Sequence, residues 1–516
     1  MAEQSLKAQY EKLTSDRAPY LQRARDCAKF TLPWLLPPQG SSGSTKLRVT
    51  FSSFGARCVN SLAAKLLLAL FPARQTFFRL AVSKPLEQQL GGKQAMAEIQ
   101  KALSSVESEI QEEINSTPTR TPAGEGIKHL LVAGNVLIEL LPKGGGLKLY
   151  PLDRYVCQRD SAGNPLKIIF EERIALGALP ESIRSIVKAR MAGKINAERA
   201  DESEVTIYTG TFRRGNHWEV YQEVEGVRIP ESRGTFPLDA LPYFPLRWII
   251  DPAGDYGRSM VEDYLGHLIS LESLTASLVK GTAVAAKVVF LRKPNSQAKA
   301  TKLTQAETGA VIDGNPDDVA ALQVEKRADF ATARELIGEL KEELAFAFVM
   351  NQAVQRHAER VTAEEIRFMA QELDSSLGGN YSTLALEFQL PYLRRLMVQM
   401  QQEGKLPMLP KGALRPIIVT GLDALGRGAD LDNLKALVAD VVDLGGPQAL
   451  QTYMNFDNLL TRLTTARGVT PDGLIKTPQE VAQAQEQSQM QAMIERLGPN
   501  VINQIGGVVK ETAKQE

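Results

Sequence analysis

The sequence predicts a mixed α+β protein that is mainly helical, and three observations support this. Apolar residues recur at three- and four-residue intervals before residue 134 and again after residue 259, which is the helical period. Residues 135–250 instead contain short apolar runs bounded by turn residues, which is typical of strands. The chain has 516 residues, so at roughly 100–200 residues per domain we expect several structural units.

The N-terminal part is predicted to contain four helices, whose apolar residues share helical spacing. Their ranges are 1–30, Ser52–Leu70, 94–115 and 123–134. The longest apolar run, Leu62–Phe71, is interrupted by Lys65 and has about half the length of a membrane span. We therefore interpret it as a buried amphipathic helix.

The β region begins with a predicted hairpin around three consecutive glycines, 144–146. The predicted strands are 136–141, 147–150, 166–171, 204–212, 217–223 and 243–248. Residues 180–200 form a short, charged helical insert between them.

Two long helices are predicted to follow. The first covers 259–286, about 28 residues or roughly 40 Å if unbroken, and the second covers 330–350. Between them, 287–329 contains strand and turn signals, so the helices should pair antiparallel and carry a small β excursion at their tip. Thr362 then opens a helix with a capping box to Glu365, and a strand at 414–422 precedes a helix at 430–444.

The charge and cysteine content limit the function classes. Lys+Arg and Asp+Glu are both 60, so the chain lacks the basic excess of a protein that grips DNA phosphates, although DNA could slide past it. The three cysteines, Cys27, Cys58 and Cys157, form no CxxC pair, which disfavours a disulfide scaffold or a zinc site. The N-terminus lacks the apolar core of a signal peptide, so we expect a soluble protein made in a reducing cytoplasm.

Motifs for catalysis are missing from the sequence. No Gly-Lys-Ser or Gly-Lys-Thr occurs, so there is no P-loop, and the Gly-x-Ser-x-Gly elbow is absent too. The four histidines lack metal-ligand spacing. We therefore predict no catalytic residue, no cofactor and no metal.

Four short strings, taken in order, give the chain a specific resemblance. They are Gly55–Pro72, His357–Ile366, Leu377–Pro391 and Val419–Asp432. In these strings the chain resembles the portal (head-to-tail connector) proteins of short-tailed bacteriophages of the podovirus type. The matched strings are spread over most of residues 1–445.

The resemblance implies a ring-forming fold with a wing, a two-helix stem, a β-containing clip and a helical crown. The implied ranges are wing 1–258 and 362–446, stem helices 259–286 and 330–350, clip 287–329, channel loop 351–361, and crown and tail 447–516. It also implies a homo-oligomer of twelve copies at one capsid vertex of the virion. The implied partners are double-stranded DNA, bound weakly and without sequence preference, terminase, scaffold and major capsid proteins, and tail or adaptor proteins, with no membrane.

The candidate functional residues follow from that architecture. Gln355, Arg356, His357 and Arg360 would present polar and cationic rings to passing DNA; the alternative is a plain loop in which Arg360 pairs with Glu364. The clip lysines Lys293, Lys299 and Lys302 would face terminase or DNA, or simply solvent. The second stem helix carries Glu335, Glu339, Glu342 and Glu343 on a face that is solvated, lies between subunits, or repels DNA.

Two other functions remain open. One is another virion structural protein, such as an internal core or tail component; two long helices around a small β insert count against a β-rich tail tube. The other is a packaging-associated enzyme, which the missing motifs disfavour.

Overall fold

The computed structural model describes most of the chain up to residue 418 and short stretches beyond it. The described residues are 4–72, 76–82, 93–191, 201–252, 254–285, 289–294, 301, 305, 315, 317, 319–322, 327–350, 377, 379–407, 414–418, 437–444, 446 and 459. The chain divides into two compact units, Met1–Leu422 and Asp423–Glu516. In the second unit, residues 437–444 are helical. All features below belong to the first.

Four helices and one strand form the N-terminal part. They are α1 (Leu6–Phe30), α2 (Phe54–Leu70), β1 (Phe78–Val82), α3 (Lys93–Ser116) and α4 (Arg120–Ala133). Ser5 caps α1 by accepting a hydrogen bond from the Ala8 amide, and Gly134 ends α4 with a φ of +73°. The four predicted helices are confirmed, whereas β1 was not predicted.

The β region contains two antiparallel sheets. The strands are β2 (Asn135–Leu140), β3 (Leu147–Tyr150), β4 (Tyr155–Arg159), β5 (Pro165–Ala175), β6 (Glu204–Arg214), β7 (His217–Val224), β8 (Val227–Pro237) and β9 (Tyr243–Arg247), with helix α5 (Glu181–Arg190) between β5 and β6. One sheet has the order β3-β2-β9 and the other β4-β5-β6-β7-β8. Every neighbour in the five-stranded sheet is also a neighbour in sequence, so this sheet is a simple meander. The predicted strands are present, and β4 and β8 are additional.

The two long helices follow the sheets, with one difference from the prediction. The first is broken into α6 (Met260–Asp263) and α7 (Leu265–Ala285), because Tyr264 leaves helical geometry with φ −108° and ψ 11°. The tip contains β10 (Val289–Arg292) and β11 (Val319–Leu322), which pair antiparallel. The second long helix is α8 (Arg327–Ala347).

The last elements return the chain to its beginning. Helix α9 (Gly379–Leu384) runs into a π-helical turn (Ala385–Gln389) and then into α10 (Leu390–Gln402), followed by β12 (Leu414–Ile418). β12 pairs antiparallel with β1, from Phe78 opposite Ile418 to Val82 opposite Leu414. The helix predicted from Thr362 lies outside the described residues up to residue 376.

Besides two smaller clusters on the five-stranded sheet, one against α5 and one against α1, the described residues form one large hydrophobic core. It includes fully buried side chains from α2, β1, the sheets and α10, among them Leu62, Phe78, Trp248 and Tyr392. Leu268 of α7 and Leu344 of α8 belong to the same core, so the long helices are anchored in the body of the unit. Within the described part of the chain, no helix combines the length and apolarity that a membrane crossing requires.

Candidate functional site

The site is the hairpin of α7 and α8, which pair antiparallel. Near its base, the Nε2 atom of His267 lies 3.0 Å from an Oε2 atom of Glu343. Near its tip, Gly281 faces Phe330. The start of α7 therefore meets the end of α8, and the end of α7 meets the start of α8. The two helices run in opposite directions, and the β10–β11 ribbon lies between them in sequence.

Gly281 allows this close approach. A Cβ atom at residue 281 would lie 2.9 Å from Cε1 of Phe330, closer than real Cβ contacts. Glycine therefore lets the ring of Phe330 sit directly on the backbone of α7.

The base of the hairpin is fixed in the hydrophobic core. Leu271 of α7 and Leu344 and Phe348 at the end of α8 are almost fully buried. The rings of Tyr264 and Phe348 are 5.6 Å apart and tilted by 59°. This aromatic contact links Tyr264, at the break between α6 and α7, to the residue that follows the end of α8.

Lys65 fixes the point at which α8 ends. Val349 has a φ of +53°, which is rare for a β-branched residue, and its carbonyl oxygen accepts a 2.5 Å hydrogen bond from Nζ of Lys65. Lys65 is buried, so its charge is used inside the protein to satisfy a carbonyl beyond the helix end. This contact lies immediately before the predicted channel loop at 351–361.

An acidic face runs along α8. Glu335, Glu339 and Glu342 are exposed. At about 100° per residue they lie opposite the buried Ile337 and Leu344, and so point away from the body of the unit. Phe346 and Leu336 flank them, with 84% and 43% of their surfaces exposed. We call these five residues the acidic face; Glu343, next to it, is the partner of His267.

The other predicted site residues are only partly described. Lys293, directly after β10, is exposed. Lys299 and Lys302 lie outside the described residues, as do Gln355, Arg356, His357 and Arg360. Their roles stay predictions.

Residues 46–52, which precede α2 and which we call the arm, contact α7 through Glu272. This contact was not predicted. Glu272 of α7 is buried, and its carboxylate accepts hydrogen bonds from the amides of Phe51 and Ser52 at 3.0 and 2.9 Å. Glu272 is the only acidic residue of α7, which is the one signal in the sequence that could have revealed the anchor. Its partners are more than 200 positions away, so their identity could not be read from the sequence.

Cations surround this arm. The guanidinium of Arg48 lies 4.6 Å from the ring centre of Phe30, and Nζ of Lys280 lies 5.4 Å from that of Phe51. Arg57 and Lys341 line a shallow cavity of about 180 Å³ together with Phe51, Phe54 and Thr275. We call Arg48, Arg57, Lys280 and Lys341, with the exposed Val49 and Phe51, the cationic patch.

His129 and the three cysteines lie in the core, away from the hairpin surface. Burial lowers the pKa of His129 to about 4 and raises the pKa values of Cys27 and Cys58 to about 12. All three cysteines are buried, so each is an unreactive neutral thiol. Across the described ranges, no group of three or more His, Cys, Asp or Glu side chains could hold a metal ion.

Comparisons with known proteins cover nearly the whole chain. Residues 3–475 match the family model described as "Bacteriophage head to tail connecting protein". The chain is 41% identical over 498 residues to the portal protein of Escherichia phage T7, covering 95% of this chain and 92% of that protein. It is 40% identical over 486 residues to the portal protein of Enterobacteria phage T3, covering 93% and 90%. A solved neck structure of a native gene transfer agent (GTA) particle, computed with C12 symmetry, matches with a TM-score of 0.35 and 12% identity over 78% of this chain and 91% of that one.

Proposed function

Because the chain belongs to the bacteriophage head to tail connecting, or portal, protein family, we propose that twelve copies close into a ring at one capsid vertex. The ring is a conduit for DNA during packaging and ejection. It also serves as a docking platform for terminase and scaffold and capsid proteins, and later for tail proteins. The protein is then part of the virion after synthesis in the host cytoplasm.

The observation that carries this proposal is the extent of the match. Similarity at 41% identity runs over 95% of the chain rather than over one domain. The resemblance seen in four short strings thus extends to the regions between them, including the hairpin.

The hairpin of α7 and α8 is proposed to be the stem, and the β10–β11 ribbon part of the clip. The proposal is supported by the antiparallel pairing of the two helices and by the core contacts that fix their base, since a stem must hold its direction while DNA passes. The sheets and N-terminal helices form the wing, residues 351–361 the channel loop, and residues 447–516 the crown and tail.

Passage of DNA requires contacts that are weak and blind to sequence. We propose that Arg356, with Gln355, His357 and Arg360, supplies one ring of such contacts inside the channel. Each contact is screened by salt and easily exchanged. The zero formal net charge of the chain is consistent with a channel that does not bind DNA tightly.

The clip faces outward from the capsid in this proposal. The exposed Lys293, with Lys299 and Lys302, is then available to acidic groups of terminase or to DNA entering the ring. Function rests on geometry and weak electrostatics, with no bond made or broken.

Electron microscopy of the purified full-length chain tests the proposal. Negatively stained particles should be rings with an axial hole, and native mass spectrometry should give the mass of twelve subunits. Monomers alone at every concentration, with no ring in the images, would contradict it.

An enzymatic function is tested on the same preparation. We expect no ATP hydrolysis and no DNA cleavage above the background of a mock purification. Turnover that a point substitution in this chain abolishes would favour the packaging-enzyme alternative instead.

A further inference from the structure

We propose that the acidic face of one copy binds the cationic patch of the next copy around the ring. This inference rests on the proposed ring and names the surfaces that close it. The acidic face contains Glu335, Glu339, Glu342, Leu336 and Phe346. The cationic patch contains Arg48, Arg57, Lys280, Lys341, Val49 and Phe51.

Within the part of the chain that the structure describes, the three glutamates of the acidic face form no ion pair. Glu335 and Glu339 are four residues apart on α8, and Glu339 and Glu342 three, so like charges face each other along the helix. The neighbouring Glu343, by contrast, lies 3.0 Å from Nε2 of His267. A cationic surface on another copy would relieve this repulsion.

The cationic patch is a continuous surface of the opposite sign. Lys280 lies over the ring of Phe51, which lines the same cavity as Arg57 and Lys341. Arg48 lies 3.7 Å from Glu272, whose carboxylate also accepts the amides of Phe51 and Ser52. The four cations of the patch outnumber this one carboxylate, so the patch keeps an excess of positive charge.

Exposed apolar side chains distinguish a protein contact from a water-filled channel wall. Phe346 in the acidic face is 84% exposed, and Val49 and Phe51 in the cationic patch are 88% and 48% exposed. A channel wall that repels DNA needs charge but gains nothing from an exposed phenylalanine. Two surfaces that each combine charge with apolar side chains fit a contact buried between proteins.

The arm also has unused backbone groups. No hydrogen bond between backbone atoms involves residues 46–50, within the part of the chain that the structure describes. The segment Lys46–Phe51 nevertheless alternates polar and apolar residues, as strands do. A neighbouring copy is therefore able to cover it.

The two surfaces point in different directions, as a ring requires. At about 100° per residue, Glu342 lies about 100° and Glu339 about 160° around α8 from Lys341. A contact between two different patches on different sides of a subunit is heterologous and can propagate from copy to copy until the ring closes. One self-complementary patch would stop at a dimer.

Charge reversal on each surface tests the proposal in the full-length chain. The first variant combines Glu335→Lys with Glu339→Lys, and the second combines Arg48→Glu with Lys280→Glu. Each alone should raise the concentration needed for half-maximal ring assembly by about 10-fold or more, measured by native mass spectrometry and sedimentation velocity. The matched control, Glu109→Lys with Glu112→Lys on the exposed side of α3, should assemble like the unmodified chain.

Mixing the two variants gives the sharpest result. When they alternate around the ring, one contact is the native pair and the next is the same pair with both charges reversed. An equimolar mixture should therefore form rings at concentrations where neither variant does. Recovery on mixing also excludes misfolding as the cause of either defect.

The possible outcomes separate this inference from the proposed function. If the unmodified chain forms rings and both variants do so equally well, the inference is wrong and the ring stands. If the Glu335/Glu339 variant forms normal rings but retains DNA differently, the acidic face lines the channel instead. If a reversed variant loses its far-ultraviolet circular dichroism, Glu335→Gln with Glu339→Gln replaces it, and unimpaired rings from that variant would overturn the contact.

Discussion

His129 is held neutral by burial in α4, and this makes the stability of the unit depend on pH. Its side chain is 5% exposed, and Nδ1 has no hydrogen-bond partner among the described residues. Burial lowers its pKa from 6.5 to about 4, so the unfolded chain binds the proton more readily than the folded one. The contribution of neutral His129 to the free energy of unfolding is therefore present above pH 6.5 and is lost as the pH falls towards 4.

We expect lowering the pH from 7 to 5 to cost about 2 kcal/mol of unfolding free energy through His129 alone. His129→Gln cannot bind this proton, so its thermal midpoint should fall less between these pH values than that of the unmodified chain. The comparison with the unmodified chain is needed because burial also raises the pKa of Glu139. That shift makes both proteins more stable as the pH falls, and so opposes the effect of His129. An equal fall in both would contradict the assignment to His129.

The residues of the hairpin show how far sequence reasoning reaches at this scale. The spacing of Glu335, Glu339, Glu342 and Glu343 predicts one helix face, and all four side chains are exposed. The role of Lys65 could not be predicted. In the sequence it only interrupts an apolar run, whereas its hydrogen-bond partner, the carbonyl of Val349, is brought to it by tertiary folding.

At the scale of elements, Gly55 sets how closely α1, α2 and α7 approach one another. A Cβ atom at residue 55 would lie 2.5 Å from the carbonyl oxygen of Phe30 and 3.0 Å from Cδ2 of Leu268. The first of these atoms is backbone and cannot rotate away. The junction of three helices therefore requires glycine.

We expect Gly55→Ala to lower the unfolding free energy by about 2–3 kcal/mol, because α1 or α2 must shift. The matched control is Gly266→Ala near the start of α7, where a Cβ atom would meet nothing within 4 Å. That change should be neutral or add up to about 1 kcal/mol through helix propensity. Thermal unfolding of both variants checks this, and equal midpoints would show that the junction tolerates a side chain.

Elements with strong local periodicity were predictable, and elements that depend on pairing were not. β8 contains Pro230 and Gly234 and is rich in charge, so its composition indicates a loop. It is a strand because β7 pairs with it. The pairing register shifts between Val220 and Gln222, and there Oγ of Ser232 accepts a hydrogen bond from the Gln222 amide at 2.8 Å. β1 likewise exists through its pairing with β12. Strand formation of this kind is set by the neighbour more than by intrinsic preference.

At the scale of the whole molecule, we expect the proposed channel loop to affect DNA and not assembly. We expect Arg356→Ala to form normal rings but to change the amount of DNA retained per particle by about 2- to 10-fold, because one weak, screened phosphate contact is lost from every subunit. Ring mass and packaged DNA are measured on the same particles. Arg233→Ala, on the exposed surface of β8, is the matched control. Loss of rings in Arg356→Ala alone would mean that the loop is structural.

The β4–β8 meander and the β1–β12 pair set an order of events during synthesis of the first unit. The β4–β8 meander joins segments that leave the ribosome one after another, so it can form while the rest of the chain is still being translated. β1 leaves the ribosome early, but its partner β12 emerges only near the end of the first unit. Until then Phe78 and Leu80 have no strand beside them, and a newly made chain presents an open apolar edge to its neighbours on the same polysome. The nascent protein is thus exposed to aggregation, and accessible to chaperones, in the interval between translation of these two strands.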